Sequence, residues 1–150
     1  MAARRAKSFA FTAGQTDLTA DVMEQVHADV QNLAMDYPQR PLSDLLPDLI
    51  TTQDTIYTLL EQQRRPAQAR QLYFLAGVTG GLLAKASHDL ADPHAALTRA
   101  RTAFVCADQA DHNGLRVWIR GVQSLVSEQS SGKGREEQVP RATTRSFSVP

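Results

Sequence analysis

Residues 71–84 read QLYFLAGVTGGLLA, fourteen positions without a charge, bracketed by Arg70 and Lys85. A bilayer-spanning helix needs about 20 apolar residues, so this run is too short to cross a membrane. It reads instead as a helix hidden between neighbours, opened by Pro66, ending near Leu90 and standing at the centre of the fold. Gly77, Gly80 and Gly81 all fall inside it. Glycine costs up to about 1 kcal/mol in a helix interior relative to alanine. The cluster therefore predicts a compensating gain, the close approach of a second helix. The expected partner is the next helix, whose small-residue face is Ala95, Ala96, Ala100, Ala103, Ala107 and Ala110, with Phe104 beside it. Asp92 caps that helix and Pro93 takes its first position, where a missing N–H costs little.

Toward the N-terminus, Val22, Val26, Val30, Leu33 and Tyr37 recur at helical spacing. They give a helix over about 19–37, capped by Asp17 or Thr19 and stopped by Pro38. A second helix opens with Ser43 as its cap and Pro47 in its first turn. Leu46, Leu49, Ile50, Ile56, Leu59 and Leu60 line one side of it as far as Arg64. Toward the C-terminus, Asp111-His112-Asn113-Gly114 breaks the chain. A fifth helix follows over about 115–128, with the stripe Leu115, Trp118, Ile119, Val122, Leu125 and Val126. From Ser130 the pattern dissolves into polar sequence bearing glycine, serine and proline, which predicts disorder. No segment alternates as a strand would, and short connections set successive helices antiparallel. The prediction is an all-α row of helical hairpins: a flexible leader at 1–16, a five-helix domain at 17–129 and a disordered tail at 130–150.

The formal charge is zero and the pI near 6.9, so no global field recruits nucleic acid or an anionic membrane. The balance is uneven along the chain. Residues 1–16 carry Arg4, Arg5 and Lys7 with no acid, whereas 17–130 hold nine basic and fourteen acidic residues. An acidic body with short basic ends is a poor DNA-binding footprint. Cys106 is the single cysteine, which excludes an intramolecular disulfide and fits a reducing, cytoplasmic setting. The apolar stretch Ser8–Phe11 is too short for a secretory signal.

The stretch Leu83-Ala84, then Asp92-Pro93-His94-Ala95-Ala96 and Ala103, resembles a tetratricopeptide repeat. A second, incomplete unit begins with Leu115-Arg116-Val117-Trp118-Ile119-Arg120-Gly121, close to the 34-residue period of that repeat. Over residues 17–126 the segments PAQARQLYFLAG, HDLADPHAA and ADHNGLRVWIRGVQSLV resemble the C-terminal helical region of bacterial XRE-type transcriptional regulators. AARRAKSFA is similar to the segment that joins the two parts of those proteins. The resemblance implies a tetratricopeptide-like superhelix used for partner contact or signal sensing. Two departures limit it. Sixteen residues ahead of the domain cannot contain the family's helix-turn-helix, and the helix expected after Val126 is replaced by polar sequence. The chain is thus expected to be a truncated relative that does not bind DNA directly.

Chemical constellations are weak. His88 and His94 flank one turn, but His112 follows the far end of an 18-residue helix, roughly 27 Å away at 1.5 Å per residue, so one ion cannot reach all three. Gly77-x-x-Gly80-Gly81 lacks the Lys-Ser/Thr of a phosphate loop and sits inside a helix. Cys106 lies beside Phe104 and Ala107 as a buried thiol rather than a nucleophile. Arg145-Ser146-Phe147-Ser148-Val149-Pro150 has the shape of a phosphoserine motif, a short match frequent in polar tails. No catalytic residue, metal site or cofactor is expected.

The function expected is a protein-interaction or signal-sensing module. Arg116, Trp118, Arg120 and Gln123 are its candidate partner-binding residues, and the three glycines are the site of close helix packing. The polar members either face a groove or are simply solvated. Self-association through helix five is the simplest partnership, because one flank of its stripe has nothing to cover it and Val117 and Gly121 widen the apolar surface, part of which is expected to stay exposed. Two alternatives remain: a small-molecule sensor with a ligand near Tyr73, and a fragment of a larger regulator without a function of its own.

Overall fold

The computed structural model describes residues 3–7, 19–62 and 65–131, and these are entirely helical apart from their connections. Residues 3–7 form a short basic helix. Five longer helices follow: α1 (Ala20–Asp36), α2 (Leu42–Gln62), α3 (Pro66–Asp89), α4 (Pro93–Ala110) and α5 (Asn113–Ser131). The protein is all-α. Asp17, Arg64 and residues 132–150 lie outside the described residues. Of the leader expected at 1–16 only residues 3–7 are described, and they are helical; of the tail expected from 130 only residues 130 and 131 are described, within α5.

Local chemistry sets the boundaries. Thr19 caps α1, its hydroxyl accepting from the Val22 amide at 3.3 Å. Helix α2 departs from expectation. The Pro41 carbonyl accepts from the Asp44 and Leu45 amides, so the helix begins before Ser43, and Pro47 lies inside it rather than in its first turn. Proline lacks the N–H that would bond the carbonyl four residues back, so the Ser43 carbonyl loses its ladder partner. The buried line is Leu45, Leu49, Ile56 and Leu59, while Ile50 is 38% exposed. The stripe keeps its helical period but is turned toward Leu45 and away from Ile50.

Helices α3 and α4 end alike. Ala91 and Asp111 adopt left-handed backbone, φ 59° and 50°. The Ala91 and Asp92 amides donate back to the His88 and Ser87 carbonyls, and those of Asp111 and His112 to Asp108 and Ala107. This pair of bonds satisfies carbonyls left over at a helix end. In each case the last residue of the motif caps the next helix. Asp92 accepts from the Ala95 amide at 3.1 Å, and His112 Nδ1 accepts from the Leu115 amide at 2.9 Å. Helix five therefore starts at Asn113, two residues earlier than its stripe implied, because a histidine does the capping.

Helix α3 is the hub, packing on α1, α2, α4 and α5. Every residue from Leu75 to Ala84 is buried. Contacts fix the directions. Gly80 meets Ala103 while Ser87 meets Arg99, so α3 and α4 are antiparallel. Phe104 meets Arg120 while Asp108 meets Arg116, so α4 and α5 are antiparallel too. Gly77 meets Leu115 and Gly81 meets Trp118, which sets α5 parallel to α3. Helix α3 thus packs on both of its neighbours in the chain and on both of its next-but-one helices, α1 and α5.

Candidate functional site

The surface singled out by the sequence is α5, and its position depends on the glycines of α3. A Cβ on Gly80 would lie 3.0 Å from the Ala103 Cβ, as the alanine face of α4 led one to expect. The other two glycines admit α5 instead. A Cβ on Gly77 would lie 2.7 Å from Leu115 Cδ2. One on Gly81 would clash with Trp118 Cζ3 and lie 2.6 Å from Cη2. The small face of α3 is therefore shared between two helices, with the Trp118 indole occupying the space where a side chain is missing.

This seating covers more of the stripe than expected and leaves open the part widened by Val117. Leu115, Ile119, Val122 and Val126 are fully buried and Trp118 is 6% exposed. A helix that packs on both of the two preceding helices covers both sides of its stripe. Trp118 is an internal anchor in this structure, and its buried Nε1 has no hydrogen-bond partner. What stays open is an edge one step round the helix. Val117 is 72% exposed, and Gly121 and Leu125, four and eight residues on, are half-buried.

The polar candidates separate into two groups. Arg116 is tied into the α4–α5 turn. Its Nε lies 2.7 Å from Asp108 Oδ1, its Nη2 3.1 Å from Asp111 Oδ1 and its Nη1 2.7 Å from Asn113 Oδ1. The hydrogen bond to Asp108, then that to Asp111, holds the guanidinium above its ordinary pKa, so it stays charged and engaged. Arg120 is exposed, lies 3.8 Å over the Phe104 ring and donates to Gln123 Oε1 at 2.9 Å. These two residues keep a free aspect on the outer side of α5. The structure thus brings Arg120 and Gln123 together and draws Arg116 and Trp118 into structural contacts.

Elsewhere, burial pushes the Cys106 thiol up to about 11. His88 is half-buried with Nδ1 unpartnered, and His94 is exposed. Among the described residues no group of three or more His, Cys, Asp or Glu could hold a metal ion, and no described helix is long and apolar enough to cross a membrane. Tyr73 is half-buried against the core cluster. Sequence reasoning missed a polar knot where α1 and α3 end. There the Tyr37 hydroxyl donates to Asp89 Oδ2 at 2.9 Å, and Lys85 Nζ stands 4.7 Å over the Tyr37 ring. Nothing in residues 52 positions apart announces such a pairing. Comparison with protein-family models, with curated proteins and with solved structures finds no match.

Proposed function

We propose that the chain is a protein-interaction module of the tetratricopeptide-like kind, related to the regulatory region of bacterial XRE-type regulators, and that it holds its partner through the outer edge of α5. The observation that carries this reading is the apolar line Val117, Gly121, Leu125, spaced four residues apart so that it forms one inclined ridge along the helix surface. Val117 heads it as the most exposed of the large hydrophobic residues. Arg120 and Gln123 flank this line with hydrogen-bonding groups, and arginine beside an apolar anchor is a recurrent interface composition. The antiparallel pairs α3–α4 and α4–α5, with α5 parallel to α3, support the helical-row reading. The simplest partner is a second copy pairing edge to edge about a two-fold axis.

Light scattering across a concentration series tests it. The wild-type chain is expected to dimerise in the micromolar range, and Val117→Glu to return it to monomer with unchanged helical content. A wild-type monomer at several hundred micromolar, or a dimer indifferent to Val117→Glu, would refute pairing through this edge. Val117 suits the test better than Trp118, whose replacement would empty the interior.

A further inference from the structure

The charge of the folded part is segregated. Residues 19–62, comprising α1 and α2, carry eight carboxylates and a single basic residue, Arg40. Residues 65–131, comprising α3 to α5, carry seven basic and five acidic residues. The short helix at 3–7, with Arg4, Arg5 and Lys7 and no acid, lies on the acidic half. Lys7 Nζ is 2.9 Å from Asp29 Oδ2 on α1, and Arg4 Nη2 is 3.4 Å from Asp48 Oδ1 on α2. One short helix therefore ties both members of the first hairpin. Asp48 turns its other oxygen to Arg40 Nη2 at 2.9 Å, and Arg40 also reaches Asp36 at 3.5 Å. The internal cation thus serves Asp36 and Asp48, and Asp29 is left to the strap.

All five residues of the segment are exposed, so none of its own side chains is buried as an anchor. Five residues are far below the length at which a helix is stable alone in water. Among the described residues, the contacts that seat it on α1 and α2 are the two ion pairs. We propose that residues 3–7 are a releasable strap, seated in cis on the acidic face of α1 and α2, and that this face exchanges the strap for lysine- or arginine-rich segments of other polypeptides. An exposed pair favours the closed form by up to about fivefold, so two favour it by at most about 25-fold. That is enough to close the strap at low salt and weak enough to lose it. At 1 M salt the screening length falls to about 3 Å, and the strap should be open.

Backbone NMR of the full chain reads this directly, through heteronuclear NOEs of residues 3–7. At 20 mM salt the NOEs should be those of ordered backbone, and at 1 M salt those of coil. Lys7→Asp should open the strap at low salt, and Lys7→Asp combined with Asp29→Lys should close it again. Octalysine added at 20 mM salt should release residues 3–7 while shifting amides around Asp29 and Asp48. Coil-like NOEs at 20 mM salt, or order that ignores salt and the Lys7→Asp change, would overturn the strap. Order that appears only as protein concentration rises would place it on a second copy and overturn the cis arrangement. Octalysine that shifts neither set of amides would overturn the exchange.

Discussion

Replacing Gly81 by alanine tests the seating of α5 most directly. In an open helix interior the change gains up to about 1 kcal/mol from helix propensity. Here the added methyl would clash with the Trp118 ring, 2.6 Å from Cη2 and 3.2 Å from Cε3. The neighbour is a rigid, buried ring system and not the end of a flexible chain. Overpacking of that kind costs about 1–3 kcal/mol. The net expectation is a loss of about 0.5–2 kcal/mol, or some 2–8 °C in Tm for a domain of this size. Gly77→Ala should cost less, because Leu115 Cδ2 at 2.7 Å is a rotatable methyl, and Gly80→Ala least, with the Ala103 Cβ at 3.0 Å. Urea unfolding followed by circular dichroism gives the three values. The decisive comparison repeats Gly81→Ala in a Trp118→Leu background. With the ring gone, the same methyl should stabilise by about 0.5–1 kcal/mol, its propensity gain alone. A change of sign between backgrounds is the signature of direct contact. If Gly81→Ala stabilises the wild-type chain, or acts equally in both backgrounds, Trp118 does not rest on Gly81 and the placement of α5 is wrong.

Ala91→Gly should raise stability by roughly 0.5–1 kcal/mol, since a left-handed alanine costs about 1–2 kcal/mol and part of the relief is lost to a more flexible unfolded chain. An unchanged or lower urea midpoint would mean that the turn between α3 and α4 does not hold that conformation. Alkaline pH should destabilise the fold. Burial raises Cys106 from 9.0 to about 11. Burial, then Asp89, raises the Tyr37 phenol above its ordinary 10.0, and burial raises Tyr57. Each is an acid kept neutral by the fold, so the stability it contributes is whole below pH 9 and lost as pH climbs through 9 to 11 and beyond. The urea midpoint should fall between pH 8.5 and 10.5, with Tyr37→Phe flattening the upper part of the slope. At pH 8 the native thiol should react with a disulfide reagent far more slowly than the unfolded chain, because burial keeps it protonated and out of reach. A flat pH profile or a fast thiol would contradict the burial of these groups.

Much of the fold could be read from the chain because its signals are local. Thr19, Asp92 and Pro93 mark helix starts through interactions spanning three residues, and the uncharged run at 71–84 declares its burial without reference to anything else. Reading failed where two local rules competed. Ser43 is a good cap by type, but the Pro41 carbonyl had already accepted the first bonds of α2. His112 is a poor cap by type, yet its Nδ1 meets the Leu115 amide, and its ring packs on Phe74 with centroids 4.8 Å apart. A tertiary contact there fixes a side chain that composition alone would leave in the loop.

The candidate surface was less legible, for a geometric reason that bears on how it works. Periodicity identifies which side of α5 is apolar but not how wide an arc its neighbours cover. That arc depends on how deeply α5 sinks into α3, and the depth is set by glycines some 37 residues earlier. Because Gly77 and Gly81 let Leu115 and Trp118 in, the open surface shrinks to the line headed by Val117. The proposed contacts of this chain then differ in kind as well as in place. The strap on α1 and α2 is held by exposed charge and weakens as salt is added. Pairing along α5 would be held by apolar burial, which salts such as sulfate strengthen. Ionic strength therefore separates them without mutation: added sodium sulfate should free residues 3–7 while driving the α5 edge further toward its partner. If both responded to salt in the same direction, one of the two surfaces would have been assigned the wrong physics.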